Sequence, residues 1–390
     1  MAKLSLWLPP FSPDYSGVSA VLFDLKTVTA MHDASGCTGN YTGYDEPRWY
    51  GSRSGIYCSG LREMDAVLGD DEKLMKKMMA AAEDVRPELM ALVGSPVPMV
   101  IGADLKGIAA ELEERTGIPC FGFDTTGTAY YDRGAFLAAK ALLERFARAK
   151  SPVRNRVNIL GALPMDFGLG EDLDGVKTIL AGAGYETGLC LAMGYSLEDL
   201  KHAATAGVNL AVSRAGYWMA LYMEKKFGIP YVCGFPAGEE GESLWLSAVN
   251  RVMSGAPSEI LKGREAEGGP KALVIGEQVM GNAIRTALQE ECGFQKVSVG
   301  SLYGLEPALS LDCDLDLTDE KKIKAAVNDP EYDIVIADPF LKVLLDGKSR
   351  DPQSFLPLSQ YAVSSKLGQA DAACLSGRNF QEWFKRRNIE

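Results

Sequence analysis

The sequence predicts an α/β protein built from three Rossmann-like domains with parallel sheets. Apolar segments of strand length alternate with amphipathic segments of helix length, the pattern typical of this class. An internal repeat supports it. The segments 113–123 and 224–235 each contain a helix end, a Gly-Ile-Pro junction and an apolar strand. Such β-α-β units give parallel strands with right-handed crossovers.

The first domain is predicted to span residues 1–150, with a linker at 149–156. Its apolar start predicts a helix and then a short strand, and the charge spacing after the second cysteine predicts an amphipathic helix. The predicted elements are a helix and strand within 19–32, a helix over 63–84, strands at 89–94 and 99–102, a helix over 104–116 stopped by Gly117, a strand at 118–123 and a helix over 131–148.

The second domain is predicted at 151–265 and the third at 266–390, separated by a glycine-rich, charged linker at 261–270. The turn from Gly276 to Gly281 lacks the middle glycine of the dinucleotide fingerprint, so a structural turn is favoured over nucleotide binding. The chain has no Walker sequence, and we expect no ATP hydrolysis by the chain itself. The predicted elements are strands at 157–161, 185–189, 271–276 and 333–338, helices at 174–182, 197–204 and 281–291, and a helical tail at 369–390.

The composition argues against several classes of function. The net charge of −12 argues against binding to nucleic acid or to an anionic membrane. No apolar run is long enough to span a bilayer, and the first residues do not have the pattern of a signal peptide. Eight cysteines in 390 residues suit a reducing cytoplasm better than a disulfide scaffold. With only two histidines, His32 and His202, multi-histidine metal sites are nearly excluded.

Two cysteines stand out because small residues surround them. Cys37 and Cys58 lie in glycine- and serine-rich stretches that we expect to be loops. Loop thiolates are the usual ligands of iron–sulfur clusters, but free cysteines are often plain buried thiols. The residues alone leave both interpretations open, with two structural thiols favoured on spacing. The remaining six cysteines are expected to be structural, as is His32 in its turn; these cysteines are Cys120, Cys190, Cys233, Cys292, Cys313 and Cys374.

The sequence segments around the two cysteines resemble those of the nitrogenase component 1 family. The segment 32–37, HDASGC, resembles the turn that carries that family's first cysteine, and 58–74 resembles its second-cysteine segment. The resemblance covers nearly the whole chain. Further matches in family order are Ser95-Pro96, Ile101–Asp104, Tyr131–Gly134, Asn158–Gly161 and Lys226–Pro230.

The resemblance implies a [4Fe–4S] cluster on Cys37 and Cys58. Where the family has a third cysteine, this chain has Ser95, which would be at best a weak oxygen ligand. Two thiolates leave a cubane cluster half-ligated. A symmetric homodimer that contributes two cysteines from each subunit is therefore expected, and a heteromer with a related subunit is the alternative.

The resemblance also implies what the chain does not do. The family's iron–molybdenum cofactor is held by a cysteine and a histidine, but this chain has Ser213 and Arg214 near the first position and no histidine in its third domain. We therefore expect no iron–molybdenum cofactor and no dinitrogen reduction.

Three functions follow as hypotheses. In the first, an ATP-dependent iron protein donates electrons through the cluster to a substrate, for which tetrapyrroles are one class known in the family; catalytic residues are not identified. In the second, the chain is a non-catalytic scaffold or carrier for a cluster or cofactor precursor. In the third, it binds a small molecule without metal. The first hypothesis places Arg62, Glu63 and Asp65 on the cluster-side surface, and Tyr41, Tyr44, Trp49 and Tyr50 around a substrate cavity.

Overall fold

The structure is a computed structural model that describes residues 5–49, 54–347, 354–367 and 373–387. It contains three sheets whose strands are all paired in parallel. The predicted α/β class with parallel sheets is therefore confirmed. Each sheet lies within one of the three predicted segments, while the exact boundaries at 150/151 and 265/266 stay predictions.

The first sheet has the order β2-β1-β3-β4. Its core is made of fully buried strands such as β3, which is apolar throughout, as expected for a sheet covered on both faces. The strands are β1 (Thr27–Met31), β2 (Gly55–Cys58), β3 (Leu89–Val93) and β4 (Cys120–Phe123), and the helices are α1 (Asp14–Leu22), α2 (Gly36–Asn40), α3 (Glu63–Leu68), α4 (Asp71–Val85), α5 (Pro96–Ile101), α6 (Leu105–Thr116) and α7 (Tyr131–Phe146).

The second sheet has the order β6-β5-β7-β8-β9. Its strands are β5 (Arg156–Leu160), β6 (Glu186–Cys190), β7 (Val208–Ala211), β8 (Tyr231–Cys233) and β9 (Glu259–Ile260), and its helices are α8 (Pro164–Phe167), α9 (Glu171–Gly182), α10 (Leu197–His202), α11 (Arg214–Phe227) and α12 (Glu239–Met253).

The third sheet has the order β12-β11-β10-β13-β14. Its strands are β10 (Lys271–Gly276), β11 (Lys296–Ser301), β12 (Leu315–Asp316), β13 (Ile334–Ala337) and β14 (Phe355–Pro357), and its helices are α13 (Gln278–Glu291), α14 (Glu320–Val327), α15 (Tyr361–Ser364) and α16 (Asn379–Arg387).

Two predicted elements of the first domain were wrong. The helix predicted over 63–84 is two helices, α3 and α4, because Gly69 takes a left-handed conformation with φ 65° and ends α3. The strand predicted at 99–102 lies largely in helix α5, which begins with Pro96 after Ser95 and ends at Gly102. The strand of that β-α-β repeat is β3 instead.

A close helix pair holds the first domain together. Helices α1 and α7 pack against each other through two glycines. A Cβ atom on Gly17 would lie 1.8 Å from the Tyr131 carbonyl oxygen, and one on Gly134 would lie 1.8 Å from the Asp14 carbonyl oxygen. Only glycine permits this backbone approach.

The three sheets share one topological feature. In each, the chain first adds a neighbour on one side of the opening strand and then crosses to the other side. This creates a switch point between β1 and β3, between β5 and β7, and between β10 and β13. In open α/β sheets, ligands bind at the carboxyl ends of the strands beside such switch points.

Candidate metal centre and neighbouring cleft

The two cysteines lie near the carboxyl ends of the strands of the first sheet, beside its switch point. Cys37 follows β1, Cys58 is the last residue of β2, and Ser95 follows β3. The expectation that both cysteines lie on loops was wrong. Cys37 is in the short helix α2, which continues into a π-helical turn over Tyr41–Asp45, and Cys58 ends a strand whose register pairs it with Met31.

Asp33 links the two cysteines. Its carboxylate accepts a hydrogen bond from the Cys37 amide at 2.9 Å, and its carbonyl oxygen lies 3.3 Å from Cys58 Sγ. The Gly60 amide donates to Cys58 Sγ at 3.3 Å. Both thiols are free and only partly buried, so each retains a face that a ligand can reach.

Ser95 lies beside Cys37. Burial, followed by the charge of Asp33, raises the pKa of the Cys37 thiol, while hydrogen bonds with the Tyr15 and Ser95 hydroxyls oppose that rise. The Ser95 hydroxyl also donates to the His32 carbonyl oxygen at 2.9 Å, and the residue is almost fully buried. Ser95 is thus a neighbour of Cys37, and Asp33 contacts both Cys37 and Cys58.

His32 has the satisfied environment expected of a turn histidine. Its Nδ1 lies 3.0 Å from Ser59 Oγ, and the ring is buried. Burial lowers the pKa of His32, so the ring stays neutral near pH 7.

The described part of the chain contains no group of three or more histidine, cysteine or acidic side chains arranged to hold a metal ion. Three of the other cysteines, Cys120, Cys190 and Cys233, are buried in the core, and burial raises the pKa of each. Their environment is that of structural thiols.

A cleft of about 860 Å³ adjoins Cys37 and reaches the third domain; below it is called the Cys37 cleft. Its wall is largely apolar. The cleft is lined by Tyr15, Cys37, Tyr44, Pro96, Phe340, Val363 and the N-terminal segment Ser5–Pro13, among others. A cavity of this size and character suits an apolar organic ligand.

Of the three described aromatic residues among the four predicted around a cavity, one, Tyr44, lines the cleft. Tyr41 is fully buried, and its hydroxyl donates to Glu46 at 3.0 Å. The Trp49 ring packs near Phe23, at 6.3 Å between centroids. Tyr50 lies outside the described residues.

Sequence reasoning missed the N-terminal part of this wall. The amides of Leu6, Trp7 and Leu8 all donate to the Glu320 carboxylate of α14, at 2.8–2.9 Å. One carboxylate therefore holds the segment across the cleft. The apolar Leu-Trp-Leu-Pro-Pro run is the local sequence feature that could have indicated a cavity wall. Nothing in the sequence links this run to Glu320.

The predicted cluster-side surface is formed by α3 and its start. The Asp65 carboxylate accepts from the Arg62 amide at 3.2 Å and from Lys73 Nζ at 2.8 Å, so these charges cap the helix. The outer side of α3 is apolar, with Val67 and Leu68 exposed. Helix α5 likewise exposes Val100, and a groove of about 250 Å³ runs between the two helices.

Comparison with known proteins decides the family. The family model of nitrogenase component 1 type oxidoreductases matches residues 14–268. The chain belongs to that family. A solved structure of nitrogenase Cp1 at pH 5 superposes with a TM-score of 0.64 at 16% identity, covering 87% of this chain and 81% of that chain, which supports the fold.

Three curated relatives show the range of the family. The chain is 27% identical to the nitrogenase molybdenum-iron protein alpha chain of Methanosarcina barkeri, over 45% of this chain and 33% of the relative. It is 26% identical to a subunit of the light-independent protochlorophyllide reductase of Chloroflexus aurantiacus, over 48% and 35%. It is 25% identical to the nitrogenase iron-molybdenum cofactor biosynthesis protein NifE of Bradyrhizobium diazoefficiens, over 60% and 44%. The matches span about a third to a half of these relatives' length.

The family therefore includes both oxidoreductases and a cofactor-biosynthesis protein. In the present chain, Ser213 caps helix α11 by accepting from the Gly216 amide at 3.2 Å, and it donates to the Gly161 carbonyl oxygen at 2.8 Å. Its hydroxyl has thus a local structural role. No helix among the described residues is long and apolar enough to cross a membrane.

Proposed function

We propose that this chain is the catalytic component of a nitrogenase-like reductase. In this proposal an ATP-dependent iron protein donates electrons, Cys37 and Cys58 hold a [4Fe–4S] cluster, and the substrate binds in the Cys37 cleft. One observation carries the proposal. Both cysteines contact Asp33 beside the switch point of the first sheet, and Cys37 lies in the wall of an apolar cleft of about 860 Å³.

The donor set suits a cluster shared between subunits. Each chain offers two partly exposed thiols, and an N–H group already points at one of the sulfurs. A cubane needs about four ligands, so a two-fold axis beside this surface completes it with the same pair from a second subunit. Ser95, inside the fold and committed to the His32 carbonyl, is the weaker candidate ligand. A heteromer with a related subunit remains the alternative assembly.

In this proposal, the residues that line the Cys37 cleft select the class of substrate. When bound, the cluster supplies single electrons. The apolar wall from Phe340 to Tyr44 favours a flat, apolar molecule, and a tetrapyrrole is one such class. Tyr15 also lines the cleft, and burial raises its pKa, which favours the protonated hydroxyl. That hydroxyl hydrogen-bonds with the Cys37 thiol.

The docking face for the iron protein is proposed on α3 and α5. Met64, Val67 and Leu68 on α3 are 62%, 74% and 71% exposed, and Val100 on α5 is 78% exposed. These side chains lie on two helices that border the same groove, and exposed apolar side chains of this kind are typical of interaction surfaces. The patch lies next to the cysteines in the chain, because α3 follows Cys58 and α5 follows Ser95.

A charge placed on this patch tests the electron route. We expect Leu68→Asp to slow the ATP-dependent reduction of the cluster by the partner iron protein at least tenfold, because a buried unpaired carboxylate is costly at an interface. The readout is stopped-flow absorbance of anaerobic protein. Leu244→Asp, on an exposed position of α12, is the control and should have no effect.

Two outcomes would count against this route. Equal rates for Leu68→Asp and the unmodified protein would remove the docking face. If Leu68→Asp makes the protein monomeric, the patch instead belongs to the subunit interface. Light scattering on the same samples measures the oligomeric state and so distinguishes the two outcomes.

A scaffold that carries a cluster or cofactor precursor is the second candidate. The match to NifE supports it, because that relative is named as a protein of cofactor biosynthesis. Repeated turnover of a reducible substrate would support the reductase, whereas a single stoichiometric transfer of bound metal to an acceptor protein would support the scaffold.

A further inference from the structure

A second cleft lies where the second and third sheets meet. It has an outer cavity of about 270 Å³ and an inner cavity of about 40 Å³, and Asp166 and Asp172 line both. Among the described residues, only Ser365 lines both this cleft and the Cys37 cleft. The site is therefore distinct from the candidate metal centre.

The position of this second cleft is typical of ligand sites. Glu277 directly follows β10, Gln360 follows β14, and Asp166 is on α8 after β5. These residues lie beyond the carboxyl ends of parallel strands, near the switch points of two sheets, where α/β proteins bind their ligands.

The described lining of the cleft contains several carboxyl groups and no basic side chain. The Arg214 guanidinium is occupied by the Asp132 carboxylate and by the Tyr303 and Gly304 carbonyl oxygens. The Glu277 carboxylate accepts from main-chain amides, those of Arg214 and Met280, each at 2.8 Å. Among the described residues, no salt bridge reaches Glu277.

The Asp166 carboxyl group has fewer hydrogen-bond partners than that of Glu277. Its Oδ1 accepts from the Tyr131 hydroxyl, whereas its buried Oδ2 has no hydrogen-bond partner in the described part of the chain. Burial, followed by the charge of Glu277, raises the pKa of Asp166, and burial also raises that of Glu277. Ionisation of Asp166 in this buried setting is costly, and a positively charged ligand that donates to the free Oδ2 would offset that cost.

Gln360 adds a second free acceptor. Its Nε2 donates to the Ile275 carbonyl oxygen at 2.7 Å, which fixes the orientation of the amide. Its Oε1 is buried and has no partner among the described residues. Gly276 makes this possible, because a Cβ there would lie 1.8 Å from Gln360 Nε2. The structural turn at Gly276 thus creates space for a polar side chain of the cleft.

We propose that this cleft binds a small organic cation, with an ammonium or amidinium group that donates to Asp166 Oδ2 and Gln360 Oε1. Two acceptors in an acidic, buried setting call for a ligand with several N–H donors and a positive charge. The apolar part of the ligand would lie in the outer cavity, against Phe167 and Leu169. This inference does not depend on the proposed iron–sulfur function.

Benzamidine is a suitable probe, since it combines a planar ring with a charged amidinium. Calorimetric titration of the full-length protein should show saturable binding of one benzamidine per chain, at least tenfold tighter than neutral benzamide. Asp166→Asn should weaken it at least tenfold while keeping an acceptor for Tyr131. Asp174→Asn, at an exposed position on α9, is the matched control and should bind as the unmodified protein does.

Leu169→Lys keeps the test valid if Asp166→Asn does not fold. Leu169 is 66% exposed at the rim, so the substitution is compatible with folding and should weaken benzamidine severalfold by charge repulsion. Equal binding of benzamidine and benzamide would overturn the proposal, as would unchanged affinity in both variants. Binding of Mg²⁺ at Asp166 in the absence of benzamidine binding would overturn it in favour of a metal site. Cys58→Ala should bind benzamidine as tightly as the unmodified protein does. A failure of the benzamidine test can therefore be distinguished from a failure of the cluster proposal.

Discussion

At the scale of single residues, the geometry around Asp33 matters most, because this residue contacts both cysteines. The sequence pointed to Cys37 and Cys58 through their small neighbours, but the contact between Ser95 and Cys37 could not be predicted from spacing. Residues 37 and 95 come together only because β1 and β3 are adjacent strands. The role of these residues as ligands stays a prediction.

Asp45 provides a pH-dependent test of the same region. It accepts from Ser12, Ser16 and Asn40, yet burial raises its pKa to about 6. Because the folded-state pKa lies above that of the unfolded chain, the stability it contributes is present below about pH 4 and is lost as the pH rises through about 6. The full effect is roughly 3 kcal/mol, at 1.36 kcal/mol for each pKa unit.

We expect the free energy of unfolding of the unmodified protein to fall by about 2 kcal/mol more than that of Asp45→Asn between pH 4.5 and 7.5. Urea titrations of the cluster-free protein at both pH values measure it. Asp174→Asn should show the same pH dependence as the unmodified protein. Parallel pH profiles for Asp45→Asn and the unmodified protein would show that Asp45 does not carry this effect.

At the scale of secondary-structure elements, most strands and long helices followed from apolar periodicity, and the two errors in the first domain occurred where a proline or a glycine sets the end of a helix. Residues 99–101 are apolar and were assigned to a strand, whereas Ser95-Pro96 and Gly102 start and end a helix there. The helix interrupted at Gly69 shows the same effect, because a single left-handed glycine outweighs a continuous amphipathic pattern. The lining of the Cys37 cleft combines the segment Ser5–Pro13 with the third domain, which no local pattern encodes.

The contact between α1 and α7 gives a prediction for stability. Gly134→Ala should destabilise the protein by about 1–3 kcal/mol, because the added methyl group would meet the Asp14 main chain rather than a side chain that can move. Thermal unfolding followed by circular dichroism measures the change.

The matched control is Gly241→Ala in helix α12, where a Cβ has no neighbour within 4 Å. This substitution should stabilise the protein by up to about 1 kcal/mol, through helix propensity. A Gly134→Ala variant as stable as Gly241→Ala would mean that α1 and α7 do not pack as closely as described.

At the scale of the whole molecule, three sheets place their switch points around two separate clefts. The first has the Cys37 thiol in a largely apolar wall, and the second has buried acceptors and carboxyl groups. The resemblance in sequence anticipated the first, because its cysteine motifs are local. It did not anticipate the second, since Asp166, Glu277 and Gln360 come from three strand ends that are far apart in the chain.

The central claim is that two chains share one cluster through Cys37 and Cys58, and anaerobic iron analysis combined with light scattering tests it most directly. The reconstituted protein should be a dimer with about four irons per dimer. Cys37→Ala or Cys58→Ala should lose the iron, and Cys58→Ala should also weaken association, because cluster binding and dimer formation are linked. Cys190→Ala, at a buried core thiol, should keep the iron. A monomer with a full cluster, or full iron retention in both the Cys37 and Cys58 variants, would contradict the account.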